Sequence, residues 1–373
     1  MDLFSQAASD VQYYRHEKLT VARRAKMLSL EELASSIGKS RQFVHKLEKG
    51  TEPTNEVVEM LCKALDITPA FLFTERKSHI DTEKCHFRSL KTRTKTVTLN
   101  VKSRVEILSS VLQQLDKEFE LPEVDIPDVS DFDISKNSEI ERLSEAVRNY
   151  WDLGMGPISN VMELLEHIGI VVSNSKGTDG KVDAFSVSNS RPLIILDNDL
   201  ASACRNRFTL AHELGHLLFH EDIITGDSST ESQADYFASS FLLPRTSFVS
   251  EFPCRGDGRF DWDKMVQFKS RWKVSLKAIV YRAKQLGLIS EQKARTAYMH
   301  LNTRGYAIRE LGDESVKDEQ AYLLPNMINM LEVSTWREIL SSIGVSEPLI
   351  FEVFGLKHER STLHKKRYLT VVK

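Results

Sequence analysis

The chain has 373 residues, 41% of them hydrophobic and 28% charged, and a formal net charge of −3. That length and apolar content fit two or three globular domains and exclude a disordered chain, and the near-neutral balance excludes a uniformly basic nucleic-acid coat, so any DNA binding has to be local. None of the four cysteines lies in a C-x-x-C pair, which argues against a zinc ribbon or disulfide scaffold; with no signal-like start and no apolar run of ~18–20 residues, the expectation is a soluble protein of a reducing cytoplasm with no membrane partner.

Residues 13–75 read as short helices with short connections. Ser29 caps a helix whose third residue is Glu32, a capping-box pattern. Leu30, Leu33, Ala34 and Ile37 form its apolar side and Gly38 ends it. A turn leads into a second helix, Ser40 to Glu48, with Val44 and Leu47 facing inward. Arg41, Gln42, His45, Lys46 and Lys49 face outward, and Gly50 stops it. Two short helices around a turn, the second presenting Arg, Gln and Lys, follow helix-turn-helix grammar.

Arg23, Leu30 to Ala34 and the run from Ser40 to Gly50 together resemble the XRE family of Cro-like repressors, over about residues 13–75. The resemblance implies an Arg23–Glu48 pair inside the module and base reading by Arg41, Gln42 and Lys46. Arg suits guanine O6/N7 and Gln suits adenine N6/N7. Ser40 and Asn55 would meet phosphates at helix starts. Lys39 departs from the apolar residue usual before the recognition helix. The module is nearly neutral, so affinity would come from a homodimer or from further basic groups; the other reading is a protein-protein adaptor.

Such groups follow at once. Lys84, Arg88, Lys91, Arg93, Lys95, Lys102 and Arg104 occur with no acid between Lys84 and Arg104. They read either as added phosphate contacts or as a solvated linker. An acidic stretch from Glu118 to Asp133, interrupted by Pro122 and Pro127, could close against them.

From Ser138, Leu143, Ala146, Val147 and Tyr150 keep helical spacing, and a second helix runs through Val161, Leu164, Leu165 and Ile168 to stop at Gly169. Ile170–Ser173, Val182–Val187 and Leu193–Leu196 read as short strands, with Gly177, Gly180 and Asn189 in the turns. The last of these strands is either a substrate-pairing edge or a plain core strand.

The sharpest signal is His212-Glu213-Leu214-Gly215-His216 inside an apolar helix. His212 and His216 lie one turn apart on one face, so their imidazoles can converge on one Zn²⁺. Glu213 stands beside them as a general base for water activation. A catalytic zinc needs a third protein ligand and an open position. His220 lies eight residues past His212, about 12 Å along a helix at ~1.5 Å per residue. That is too far for a shared ion, so it reads as an outer partner or a packing residue. Glu231 is the better third ligand. It heads an E-x-x-x-D helix whose Asp235 can hydrogen-bond the far nitrogen of a ligand histidine. The alternative is a capping box in which Ser228 caps and Glu231 closes the helix start.

The run Phe208 to His220, Glu231 to Ala238 and Phe241-Leu242-Leu243-Pro244 resemble the ImmA/IrrE family of metallopeptidases, over about residues 138–290. The resemblance implies a gluzincin-like α+β fold, Zn²⁺ on His212, His216 and Glu231, and Glu213 as general base. Family members cleave or otherwise inactivate partner repressors, so a regulatory protein is the implied substrate. Asp235 is often Asn in the family. Tyr236, Tyr281, Arg282 and His220 all remain candidates for oxyanion stabiliser.

The expected organisation is multi-domain: a mainly α helix-turn-helix DNA-binding domain over 1–75 and a basic-then-acidic linker or helical region over 76–137. An α+β HExxH domain over 138–290 and a C-terminal domain of unknown role over 291–373 follow. In the last, Tyr322, Leu323, Leu324, Trp336 and Phe351 could form a small core or an oligomer contact. The function expected is a transcription regulator binding double-stranded operator DNA and cleaving a regulator. The alternative is a repressor or antitoxin whose zinc site is structural or sensory.

Overall fold

A computed structural model describes residues 13–74, 85–87, 95–175, 184–197, 202–221, 227–253, 259–306, 309–356 and 370–371, of which 85–87, 95, 197 and 370–371 by backbone only. Lys84, Arg88, Lys91, Arg93, Gly177, Gly180 and Val182 from the sequence reading lie outside these residues.

Five short helices build the N-terminal module: α1 (His16–Ala25), α2 (Leu30–Ser36), α3 (Arg41–Leu47), α4 (Asn55–Leu65) and α5 (Pro69–Phe73). Ser29 and Glu32 form the expected capping box on α2, each side chain meeting the other's backbone N–H. Arg23 grips the Glu48 carboxylate through Nε and Nη2 at 2.7 and 3.1 Å, almost out of solvent. It also donates to the Leu28 carbonyl, so one guanidinium ties α1, the α1–α2 turn and the end of α3.

Strand β1 (Cys85–Phe87) precedes α6 (Lys95–Glu118), β2 (Phe119–Glu120), α7 (Asn137–Tyr150) and α8 (Val161–His167). The long α6 is interior. Val101, Val105, Leu108 and Leu115 are buried in the same core as α1 to α5. Arg104 is buried as well and donates to the Ala25 carbonyl and to Ser175 Oγ, so it braces the fold and offers DNA nothing. The acidic stretch packs on the α7–α8 side: the Asp125 carboxylate accepts from Tyr150 Oη, its carbonyl accepts from Trp151 Nε1, and its N–H donates to the Ile168 carbonyl. Gly169 at φ +83 has to be glycine there, because a Cβ would stand 2.4 Å from the Glu123 carbonyl oxygen.

Strands β3 (Val171–Ser175), β4 (Ala184–Val187) and β5 (Leu193–Asp197) follow at the expected places. The sheet order is β1-β4-β5-β3, with β3 parallel and β4 antiparallel to β5. Residues 193–196 are therefore a central strand and not a free edge. Alternation sorts the side chains. Val171, Phe185, Val187, Leu193 and Ile195 join the core that holds the N-terminal module. Val172, Ala184, Ile194 and Leu196 join the second core. That core is closed by α9 (Ala203–Phe219), α10 (Ser228–Leu242), α11 (Arg245–Glu251), α12 (Trp262–Trp272), α13 (Leu276–Gln285) and α14 (Glu291–Thr303). It thus continues past residue 290 through Ala294, Ala297 and Leu301.

Beyond α14 the chain crosses back. Glu310 joins Asp313 around the fully buried Lys269 and accepts from the first backbone N–H groups of α13. Glu319 pairs with Arg207 and accepts from the N-terminal amides of α8. Glu166 accepts from the Tyr322 and Leu323 amides at the start of α15 (Leu323–Met330). Then α16 (Val333–Ile343) and α17 (Glu347–Phe354) enter the N-terminal core, and β6 (Thr370–Val371) pairs with β2. Leu323, Leu324, Trp336 and the partly buried Phe351 lie in that core, while Tyr322 is exposed. Thr68 donates its N–H to the Gly344 carbonyl at 2.8 Å, and Ser346 donates to Asp66 at 3.0 Å. Among the described residues no helix is long and apolar enough to cross a membrane.

Gly344 sits at φ +81, and a Cβ there would lie 2.4 Å from the Phe71 backbone nitrogen. Gly344→Val should therefore cost about 2 kcal/mol or more from left-handed strain and overpacking, and should speed amide exchange over residues 66–74. Unchanged exchange there would show that the C-terminal helices do not brace the N-terminal module.

Candidate metal centre and nucleic-acid face

The centre lies where α9 crosses α10. Ser202 caps α9 by accepting from the Arg205 N–H, and the helix then buries nearly everything from Thr209 to Leu218. Gly215 makes the crossing close: a Cβ there would stand 3.1 Å from a Phe237 ring carbon and 3.5 Å from the Ala234 Cα. On α10 the N-cap is Asp227, which accepts from the Ser229 and Thr230 amides. Ser228 is thus a helical residue, and the capping-box alternative for Glu231 falls. Glu231 turns instead to the histidines, with 3.5 Å from its Oε2 to His212 Nε2 and 3.6 Å from its Oε1 to His216 Nε2.

The two Nε2 atoms are 3.0 Å apart and both rings are fully buried. What holds the rings decides which atoms face the centre. His212 Nδ1 lies 2.8 Å from Asp235 Oδ1, so Nδ1 carries the proton and Nε2 presents a lone pair. Behind His216 stands His220, fully buried, with 2.9 Å between their Nδ1 atoms. His220 Nε2 donates to Gln233 Oε1 at 2.9 Å. The His220 Nδ1 is then the acceptor, His216 Nδ1 the donor, and His216 Nε2 also presents a lone pair. Two imidazole lone pairs and a carboxylate converge on one buried point, which only a cation or a proton can satisfy. Ligands on a tetrahedral zinc with bonds of about 2.1 Å stand roughly 3.4 Å apart. The three separations bracket that figure, so the donor set fits a divalent zinc ion.

Electrostatics agree with that donor set. Burial pushes His216 and His220 down to about 4 from an ordinary 6.5, which keeps both rings neutral and available as donors or acceptors at neutral pH. Burial would raise the Glu231 carboxyl; positive charge where it faces His212 and His216, a proton or a metal ion, outweighs that and holds it well below the usual carboxylate range.

Glu213 is fully buried, and its Oε2 accepts from Ser186 Oγ on β4 at 2.7 Å. Ser186 was invisible in the sequence, being a common residue far from the motif. On the other side of His212 a cavity of about 380 Å³ reaches Asp235, lined by Phe208, Thr209, Lys277, Tyr281 and Tyr298. Two of the oxyanion candidates are engaged elsewhere. Arg282 is held by Glu141 and the Leu243 carbonyl, and Tyr236 Oη donates to Glu141 at 3.3 Å. His220 is taken up behind His216.

The second site is the surface of α3. Ser40 caps it by accepting from the Phe43 N–H. Arg41, Gln42, His45 and Lys46 are exposed along one side and Lys49 just beyond its end, while Val44 and Leu47 anchor the opposite side. At α4 the cap is Thr54 and not Asn55, which is the first helical residue.

Two family models match parts of the chain. Residues 21–72 match the helix-turn-helix family model, and residues 165–284 match that of the IrrE N-terminal-like domain. The chain thus carries a stretch similar to XRE-type helix-turn-helix domains and one similar to IrrE/ImmA-like, metallopeptidase-type domains. No curated protein matches the chain.

His220→Phe keeps a buried ring of similar size but removes the acceptor behind His216. Zinc affinity should fall about 10–100-fold, the usual cost of losing such an outer partner, as read by competition with a chromophoric chelator. Unchanged affinity would mean that His220 only packs. The pH dependence follows from the same burial. Unfolded, His216 and His220 take up protons below about 6.5, whereas folded they resist until about 4. The unfolded state then binds more protons, so the metal-free protein should lose stability as pH falls from 6.5 towards 4. Equal urea midpoints at pH 7 and pH 5 would refute the buried neutral rings.

Proposed function

We propose that this protein is a DNA-binding transcription regulator and a zinc-dependent endopeptidase that cleaves a partner regulatory protein, a repressor or a toxin–antitoxin component. The observation that carries the peptidase reading is the Glu213 carboxylate, buried next to the convergent His212, His216 and Glu231 and held by Ser186. A purely structural metal site has no use for a base in that place.

His212, His216 and Glu231 would hold the ion, and the chemistry zinc supplies when bound is polarisation of a carbonyl and acidification of water. Glu213 takes the proton of the attacking water and returns it to the leaving amine. Ser186 fixes the direction of that carboxylate. Asp235 and His220 keep the two imidazoles in the tautomers that leave Nε2 free for the metal. The helix-turn-helix face would recognise double-stranded operator DNA, with Arg41, Gln42 and Lys46 towards base edges, His45 and Lys49 beside them, and Ser40 at the phosphates. Because α3 has only seven residues, a homodimer on two half-sites about 34 Å apart supplies the affinity that one neutral module lacks. The setting is the cytoplasm, where DNA and a reducing medium coincide.

Glu213→Gln keeps shape and metal binding and removes the base. In cells expressing wild type or this variant, with and without DNA damage, new protein N-termini should appear with wild type alone, and purified activity should fall about 10²-fold or more. Identical sets of termini under both conditions would replace the peptidase with a metal-containing regulator whose zinc site is structural or sensory. For DNA, Arg41→Ala and Gln42→Ala should each weaken binding to a duplex selected from random sequence by about 1–3 kcal/mol. Undiminished binding in a gel-shift assay at fixed salt would make the module an adaptor.

A further inference from the structure

The outer edge of β4 is taken by the chain itself. Cys85, His86 and Phe87 pair antiparallel with Val187, Ser186 and Phe185, so the His86 backbone lies directly opposite Ser186. Ser186 is the residue that holds the Glu213 carboxylate at 2.7 Å. The opposite edge of β4 is filled by β5, and α9, which carries His212 and His216, packs across β4. An extended backbone on the outer edge of β4 is therefore a strand's width from the candidate base.

Extended peptides bind exposed sheet edges through backbone hydrogen bonds, with little demand on their sequence. Here that edge is occupied, among the described residues, by Cys85–Phe87 from the connection between α5 and α6. So short a pairing makes few hydrogen bonds, and a longer extended segment can replace it.

We propose that Cys85–Phe87 is a built-in stand-in for substrate backbone: it closes the outer edge of β4 beside Glu213, and an extended segment of a partner protein gains the centre by displacing it. This rests on the peptidase reading for its purpose but not for its test. The strand is a closure and not the chain's own cleavage site. A cut there would not free the helix-turn-helix module, because α1 to α5 share one continuous core with α6, α15, α16 and α17. In sequence β1 lies between α5 and α6, both of which belong to that core.

The register supplies both a lock and a release. Cys85 and Val187 are direct partners, and paired antiparallel residues have Cα separations a disulfide can span. Val187→Cys oxidised with diamide should link the two positions, as mapped by mass spectrometry. The release is H86P with F87P: alternate N–H groups of a strand face its neighbour, so two consecutive prolines remove at least one ladder donor. Both are made on zinc-loaded full-length protein carrying Glu213→Gln, so that a bound chain is not cut. The probe is a fluorescein-labelled, unfolded casein fragment followed by anisotropy. The release variant should bind it at least tenfold tighter than its parent, with faster amide exchange over 184–187. The oxidised lock should bind at least tenfold more weakly and recover on reduction. No cross-link in the folded Val187→Cys protein, or equal casein affinity in locked, parent and released forms, would overturn the closure. Failure of the peptidase reading is a separate result, seen as identical N-termini with and without Glu213 whatever the casein binding.

Discussion

One sheet has to serve two hydrophobic cores, and most of the architecture follows from that requirement. Strands β3, β4 and β5 send alternate residues to opposite faces, and both sets are apolar: Val171, Leu193 and Ile195 on one side, Val172, Ile194 and Leu196 on the other. A sheet buried on both faces needs a layer on each. Helices α9 to α14 supply one layer. The other is assembled from distant parts of the chain, α6 and the α15 to α17 helices, and the helix-turn-helix module is built into it. The DNA-binding module therefore shares its packing with the back of the sheet whose front carries Ser186. A slip of one residue in β4 would exchange its two faces and remove Ser186 from Glu213.

The centre is polar in a place that otherwise excludes water, and its outer polar groups are each given a partner. Asp235 and the Gln233–His220 pair occupy the outer nitrogens of the two ligand histidines. This leaves the inner nitrogens and the Glu231 carboxylate with a shared need for positive charge. Burial alone would favour protonating the carboxylate, and only positive charge at the facing imidazole nitrogens keeps it ionised. The site is thus preorganised for a cation before one arrives, and rigid packing at Gly215 keeps the ligands from spreading apart.

The parts of this arrangement that were legible in the sequence are those fixed by local periodicity. His212 and His216 are one helical turn apart, so their convergence needs only the helix. Glu231 and Asp235 share a face for the same reason, and Ser29 with Glu32 announces a helix start. The Arg23–Glu48 pair was implied by the resemblance of the whole module, and it is present. Ser186 could not be found this way. It sits on a four-residue strand, reaches Glu213 across 27 positions of sequence, and carries no pattern of its own. The placement of α6 was obscured by its flanking charges, because Arg104 is spent on the Ala25 carbonyl and Ser175 inside the protein. The C-terminal helices were equally opaque: their partners lie some three hundred residues earlier, and only the finished fold brings Gly344 against Phe71.

The shared core also limits how the helix-turn-helix face and the candidate metal centre can influence one another. A module joined by a free linker could rotate without disturbing the metal centre. This one cannot, because Lys26 reaches both Asp66 and Glu352, and the α16–α17 turn is hydrogen-bonded to the α4–α5 turn. Packed cores resist continuous deformation, so a signal passing between the two sites has to act on elements small enough to change state by themselves. The edge strand beside β4 meets that condition, since its three pairs make few bonds and in sequence it stands between α5 and α6, which belong to the N-terminal core. Coupling through such an element requires no reorientation of domains. It requires only that engagement on one side change the free energy of a three-residue pairing on the other, and the magnitude of that change sets the limit on any regulation the fold can deliver.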